Sequence, residues 1–151
     1  MSIARRLSLL ALAVMTISVL PVRSPQAEST ADITVYKTPT CGCCKAWVSY
    51  LEDNGFRVIA HDLNDLSRVK RQYGVDPRVN SCHTALIDGY VVEGHVPVND
   101  IRRLLNERPE ITGISAPGMP QLSPGMYSIE PKDYDVVSFD EQGNIGLFSR
   151  Y

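Results

Sequence analysis

The chain has 151 residues, 15 Lys plus Arg, 17 Asp plus Glu, a formal net charge of −2 and four cysteines. This length suits one compact domain with at most an appendage; 44% hydrophobic residues exclude wholesale disorder, and the charge balance carries no electrostatic footprint for nucleic acid. Four cysteines are too few for a disulfide scaffold, yet three crowd into Cys41-Gly42-Cys43-Cys44 and the fourth is Cys82.

Residues 1–27 read as a secretory signal peptide. Arg5 and Arg6 supply the positive start, Leu7 to Val22 carries no charge, and small residues at Ala27, Ser29 and Ala31 place cleavage between 27 and 31. The uncharged run spans 16 residues, short of the ~20 that a membrane-spanning helix needs, so no membrane role is expected after cleavage. Removal takes Arg5, Arg6 and Arg23, leaving 12 basic residues against 17 acidic ones, about −5 in all. The expected compartment is the periplasm, where disulfides persist.

Beyond the leader, strands and helices alternate. Ile33-Thr-Val-Tyr36 is a short β-branched strand. From Cys44 onward, Trp47, Val48 and Leu51 recur at helical spacing, and Asn54-Gly55 ends that helix. Phe56 to Ala60 alternates as a second strand. Asn64 is the expected cap of a second helix carrying Leu66, Val69 and Tyr73, with Gly74 at its stop. A polar loop, Asp76 to Ser81, leads to Cys82. Asp88-Gly89 between Thr84–Ile87 and Tyr90–Val92 predicts a hairpin. A third helix starts near Pro97, with Val98, Ile101, Leu104 and Leu105 as its apolar stripe, and ends at Pro109. Further on come two Pro-Gly-Met loops, Ala116-Pro-Gly-Met-Pro120 and Ser123-Pro-Gly-Met126, then a closing hairpin from Tyr134–Phe139 and Ile145–Phe148.

The order β-α-β-α-β-β-α, with a Cys motif between the first strand and first helix, resembles the thioredoxin fold. The expected organisation is α/β, with a thioredoxin-like domain over 32–108 and an extension over 109–151 packed on the same core. That resemblance puts Cys41 at the first turn of the first helix, where backbone N–H groups stabilise a thiolate. Cys41 and Cys44 share a face of the turn, whereas Cys43 projects about 100° away from Cys44. The fold analogy also brings the Ser81-Cys82-His83-Thr84 loop against the Cys turn, with His83 where such proteins usually carry a cis-proline. Convergent soft donors favour Cu(I) or Zn(II), and thioether sulfur nearby tilts the choice to copper.

Cys41-Gly-Cys-Cys44, Ser81-Cys-His-Thr84, Gly89-Tyr-Val-Val-Glu-Gly-His-Val-Pro97 and the two Pro-Gly-Met loops together resemble the CopG-like proteins of bacterial copper and heavy-metal resistance. The resemblance covers residues 33–151. It implies a thioredoxin-like fold, metal binding through the Cys motif and a role in copper handling.

The leading expectation is Cu(I) held by Cys41, Cys43, Cys44 and Cys82, with room for more than one ion and for Cu(I)/Cu(II) redox change. His83, Met119 and Met126 are further candidate ligands. An alternative is a thiol–disulfide oxidoreductase, with Cys41 attacking and Cys44 resolving. Another is a passive copper chaperone docking on an efflux pump, a multicopper oxidase or a periplasmic redox protein. The plainest alternative is two structural disulfides, Cys41–Cys44 and Cys43–Cys82. His95 reads as a structural hydrogen-bonding residue, His61 as surface, Trp47 and Tyr50 as core, and Arg68 to Arg71 as a solvated helix face.

Overall fold

The computed structural model describes residues 31–128 and 130–151; the signal-peptide expectation lies outside them. The elements follow the predicted order: β1 (Asp32–Lys37), α1 (Gly42–Asp53), β2 (Arg57–Asp62), α2 (Ser67–Gln72), β3 (Thr84–Ile87), β4 (Tyr90–Glu93) and α3 (Val98–Glu107). Then come β5 (Gly113–Ser115), β6 (Asp135–Phe139) and β7 (Ile145–Arg150). The seven strands of the described residues form one mixed sheet in the order β2-β1-β3-β4-β5-β6-β7. β1 pairs with β2 in parallel, and β3 with both β1 and β4 antiparallel. The C-terminal segment therefore continues the sheet, through β5 parallel to β4. Among the described residues no helix is long and apolar enough to cross a membrane.

Strand alternation sorts the core into two layers. Ala85, Ile87, Val92 and Val136 face the larger cluster, where Trp47 and Leu51 of α1 and Ile101 and Leu104 of α3 are fully buried. Their sequence neighbours Leu86, Val91 and Val137 point the other way, to Val75, Val79 and Phe139. α3 ends at Arg108, which takes a left-handed φ of 50° just before Pro109, and the β3–β4 turn has positive φ at both Asp88 and Gly89, as a two-residue hairpin requires.

Several boundaries differ from the expectation. α1 begins at Gly42, so Cys41 is its N-cap rather than a residue of its first turn. α2 begins at Ser67, not after an Asn64 cap; the Asp65 carboxylate accepts from the Ser67 amide instead. β2 is shifted to Arg57–Asp62 and lies at the sheet edge, where all but Val58 are exposed. The polar loop before Cys82 contains a short 3-10 turn, Pro77–Val79. β5 was not foreseen, because three residues are too few to reveal an alternating pattern.

Candidate metal centre

Three segments converge at one end of the sheet: the start of α1, the loop entering β3 and the chain leaving β4. Cys41 and Cys44 are joined by a disulfide, with Cα atoms 5.4 Å apart. Cys43 and Cys82 are free thiols, so of the two bridges considered only the first is formed. Cys43 Sγ lies 3.3 Å from Cys41 Sγ, and Cys82 Sγ lies 3.5 Å from Cys44 Sγ. The potential ligand atoms of Cys41, Cys43, Cys44 and Cys82 all lie within 4.8 Å of one another.

A second donor group overlaps the first. Cys44, Cys82, His83 and His95 also bring their donor atoms within 4.8 Å. Cys82 Sγ is 3.3 Å from His83 Nδ1 and 3.2 Å from His95 Nε2. His95, expected as a structural hydrogen-bonding residue, makes such a bond and also brings its ring into this donor group. Its Nδ1 lies 2.7 Å from the Pro124 carbonyl. A carbonyl only accepts, so Nδ1 carries the proton and the Nε2 lone pair faces Cys82, the tautomer a metal ligand needs. The signal for His95 was the hairpin itself: its register pairs Thr84 with Glu93 and so brings the residues before 84 and after 93 to the same sheet end. His83 is fully buried, its ring 4.4 Å from the Trp47 ring, and its Nε2 has no hydrogen-bond partner.

The two Pro-Gly-Met loops clamp this arrangement. Ser81 bridges to Gly118, and the Gly118 amide donates to Asn80 at 3.0 Å. Gly94 has φ +72°, and a Cβ there would stand 2.3 Å from Ser81 Oγ and 2.8 Å from the Ala116 carbonyl oxygen. Gly125 presses on α1, where a Cβ would come within 2.7 Å of the Trp47 amide nitrogen and 2.9 Å of the Cys43 carbonyl oxygen. The methionines follow these glycines outward. Met119 is 55% exposed, and Met126 lines an open cleft with Ala46, Ser49, Tyr50 and Asp53 of α1. Trp47 is core as expected, and His61 is exposed. The Arg68–Arg71 run is not wholly solvated: Lys70 turns inward onto the buried Glu93, because a carboxylate removed from water needs a cation.

Burial favours the neutral forms of Cys82, His83 and His95. Burial, and then the neighbouring Cys43, push the Cys82 thiol up to about 12. Burial, reinforced by His95 and Lys70, holds His83 well below the usual imidazole range, and burial also lowers His95. Neutral imidazole is already the ligating form, whereas the thiol must lose its proton. An incoming cation compensates the thiolate, so metal binding and proton release are coupled.

The sign of the His83 effect fixes a pH dependence. Its folded value lies below its ordinary 6.5, so the unfolded chain binds more protons in mild acid and its contribution to stability is lost as pH falls below about 6.5. The raised Glu93 carboxyl works in the opposite sense. The expected result is a melting temperature of the metal-free protein that drops between about pH 7 and about pH 5, and a smaller drop in His83→Asn. Equal profiles for the two proteins would contradict this reading.

A part-buried cluster of cysteine sulfurs beside two buried imidazoles, on a mixed α/β sheet, defines a candidate metal-binding protein with soft donors. Comparison with known proteins agrees. Two solved structures match: one titled "Copper resistance protein copG- Form 2", at 44% identity, TM-score 0.74, over 80% of this chain and 98% of that one, and one titled "Copper resistance protein copG- Form 1", at 45% identity, TM-score 0.73, over 80% and 96%. The chain belongs to the CopG family of copper resistance proteins. Residues 79–126, which hold Cys82, His83, His95 and both Pro-Gly-Met loops, match the family model described as "Protein of unknown function, DUF411". No curated protein sequence matches.

Proposed function

We propose that the protein is exported to the periplasm and serves copper resistance by holding Cu(I) in its reduced cysteine cluster. Cys41, Cys43, Cys44 and Cys82 are the primary ligands, and His83 and His95 complete the donor set on the Cys82 side. The observation that carries this reading is the convergence of the four cysteine donor atoms within 4.8 Å, supported by relatives whose titles state copper resistance. Thiolates can bridge, so a cluster of this size suits more than one Cu(I) and gives electrons a path between Cu(I) and Cu(II). In this reading residues 32–108 are a thioredoxin-like domain, 109–151 an extension that clamps the site, and 1–27 a cleaved leader.

The Cys41–Cys44 disulfide removes two of the four thiolates, so copper uptake should require reduction. Anaerobic Cu(I) titration against a chromophoric chelator should show tight binding by reduced protein and markedly weaker binding after oxidation. Equal binding by both forms would overturn the assignment of these thiols as ligands. The same disulfide favours thiol–disulfide exchange as a second reading. Robust metal-free reduction of insulin would support that reading; its absence, with tight Cu(I) binding, supports the first.

A further inference from the structure

Beneath the centre lies a polar group that copper ligation does not itself employ. Glu93 closes β4 and is fully buried. Its Oε1 accepts from the Ser81 amide at 2.7 Å and from Lys70 Nζ, and its Oε2 accepts from Thr84 Oγ1 at 2.7 Å. Lys70 Nζ also donates to Thr84 Oγ1 at 3.1 Å. Ser81 and Thr84 flank Cys82 and His83, so this carboxylate grips the ligand loop on both sides. Along the chain, the Glu93 carbonyl accepts from the Ala116 amide at 3.0 Å, and the next residue, Gly94, donates to the His83 carbonyl at 3.0 Å. The segment leading to His95 is thereby tied to the segment carrying Cys82.

Resting on the copper reading above, we propose that Glu93 is the positioning residue of the metal centre. One buried carboxylate, neutralised by Lys70, fixes the loop that presents Cys82 and His83 and registers it against the strand end that presents His95. A buried ion pair is by itself weak evidence of a stabilising role. Removing Glu93 alone also leaves Lys70 without its counter-charge, so the loop-positioning role is read from copper affinity and Ser81 exchange in a folded variant, not from stability. An apolar side chain, however, takes away the carboxylate that the part-buried Ser81 N–H donates to.

The test uses the reduced full-length exported chain with Glu93→Ala and Glu93→Gln. Glutamine still accepts from Ser81 and reaches Thr84; alanine does neither. Cu(I) affinity is expected to fall roughly 10–100-fold in Glu93→Ala, the usual cost of losing an outer-shell partner, and to stay near wild type in Glu93→Gln. Amide hydrogen exchange at Ser81 in the metal-free protein gives a readout independent of copper: protection should be lost in Glu93→Ala and kept in Glu93→Gln. Wild-type affinity and Ser81 protection in a folded Glu93→Ala would overturn the proposal, as would a Glu93→Gln as weak as Glu93→Ala. If Glu93→Ala does not fold, Thr84→Val removes the second anchor at similar volume while leaving the Ser81 bond in place, and unchanged Cu(I) affinity there would overturn it instead. Wild-type protein that binds no Cu(I), yet shows the expected exchange pattern, would sink the copper reading while leaving the loop-positioning role standing.

Discussion

Cys82→Ser should weaken Cu(I) binding by the reduced protein at least ~100-fold, about 2.8 kcal/mol. Cys82 belongs to both overlapping donor groups. Its sulfur touches Cys44 on one side and the two imidazoles on the other. Serine nearly preserves the shape but replaces a soft donor by a hard one, poorly matched to Cu(I). Cys43→Ser removes a donor from one group only and should cost less. Chelator competition on the two variants measures the difference. A Cys82→Ser protein no weaker than Cys43→Ser would contradict the shared-ligand geometry.

The second large effect is structural. Gly94→Ala should destabilise the protein by about 2–5 kcal/mol, combining left-handed backbone strain with overpacking. The strain follows from a φ of +72°, and the overpacking from the Ser81 side chain and the Ala116 carbonyl, which occupy the space a Cβ needs. For a chain of this size the melting temperature should fall roughly 10 °C. Ser81 must also give way, and Cys82 moves with it, so copper affinity should drop as well. Gly118→Ala is the control: φ is +70° but nothing lies within 4 Å, so only the backbone cost of about 1–2 kcal/mol applies. Thermal melts of both variants decide the matter; a Gly94→Ala as stable as Gly118→Ala would show that the Ser81 loop yields freely.

Much of this architecture was legible in the sequence because its signals are local. Asp88-Gly89 marked the hairpin, the Val98-Ile101-Leu104 spacing marked α3, and Trp47 and Leu51 marked the buried face of α1. The cysteine spacing gave the N-terminal half of the site, and resemblance supplied Cys82. What stayed hidden depends on pairing across the chain. β5 is strand because β4 and β6 flank it, not because of its own three residues. Lys70 looked like one more charge on a polar helix until the fold buried Glu93 beside it. His95 gained its meaning from the Pro124 carbonyl, 29 residues away, which sets its tautomer. In the sequence the Pro-Gly-Met loops stand out by their methionines, yet Gly94 and Gly125 at the contacts and the Pro124 carbonyl are what brace the centre.

The central claim is that copper sits among these thiols. X-ray absorption of the anaerobically reduced, copper-loaded protein tests it most directly, since it reports oxidation state and ligand type together. The account predicts a Cu(I) edge with a first shell dominated by sulfur, lost when the cysteines are alkylated before loading. A shell of only nitrogen and oxygen, or copper retained unchanged after alkylation, would contradict it.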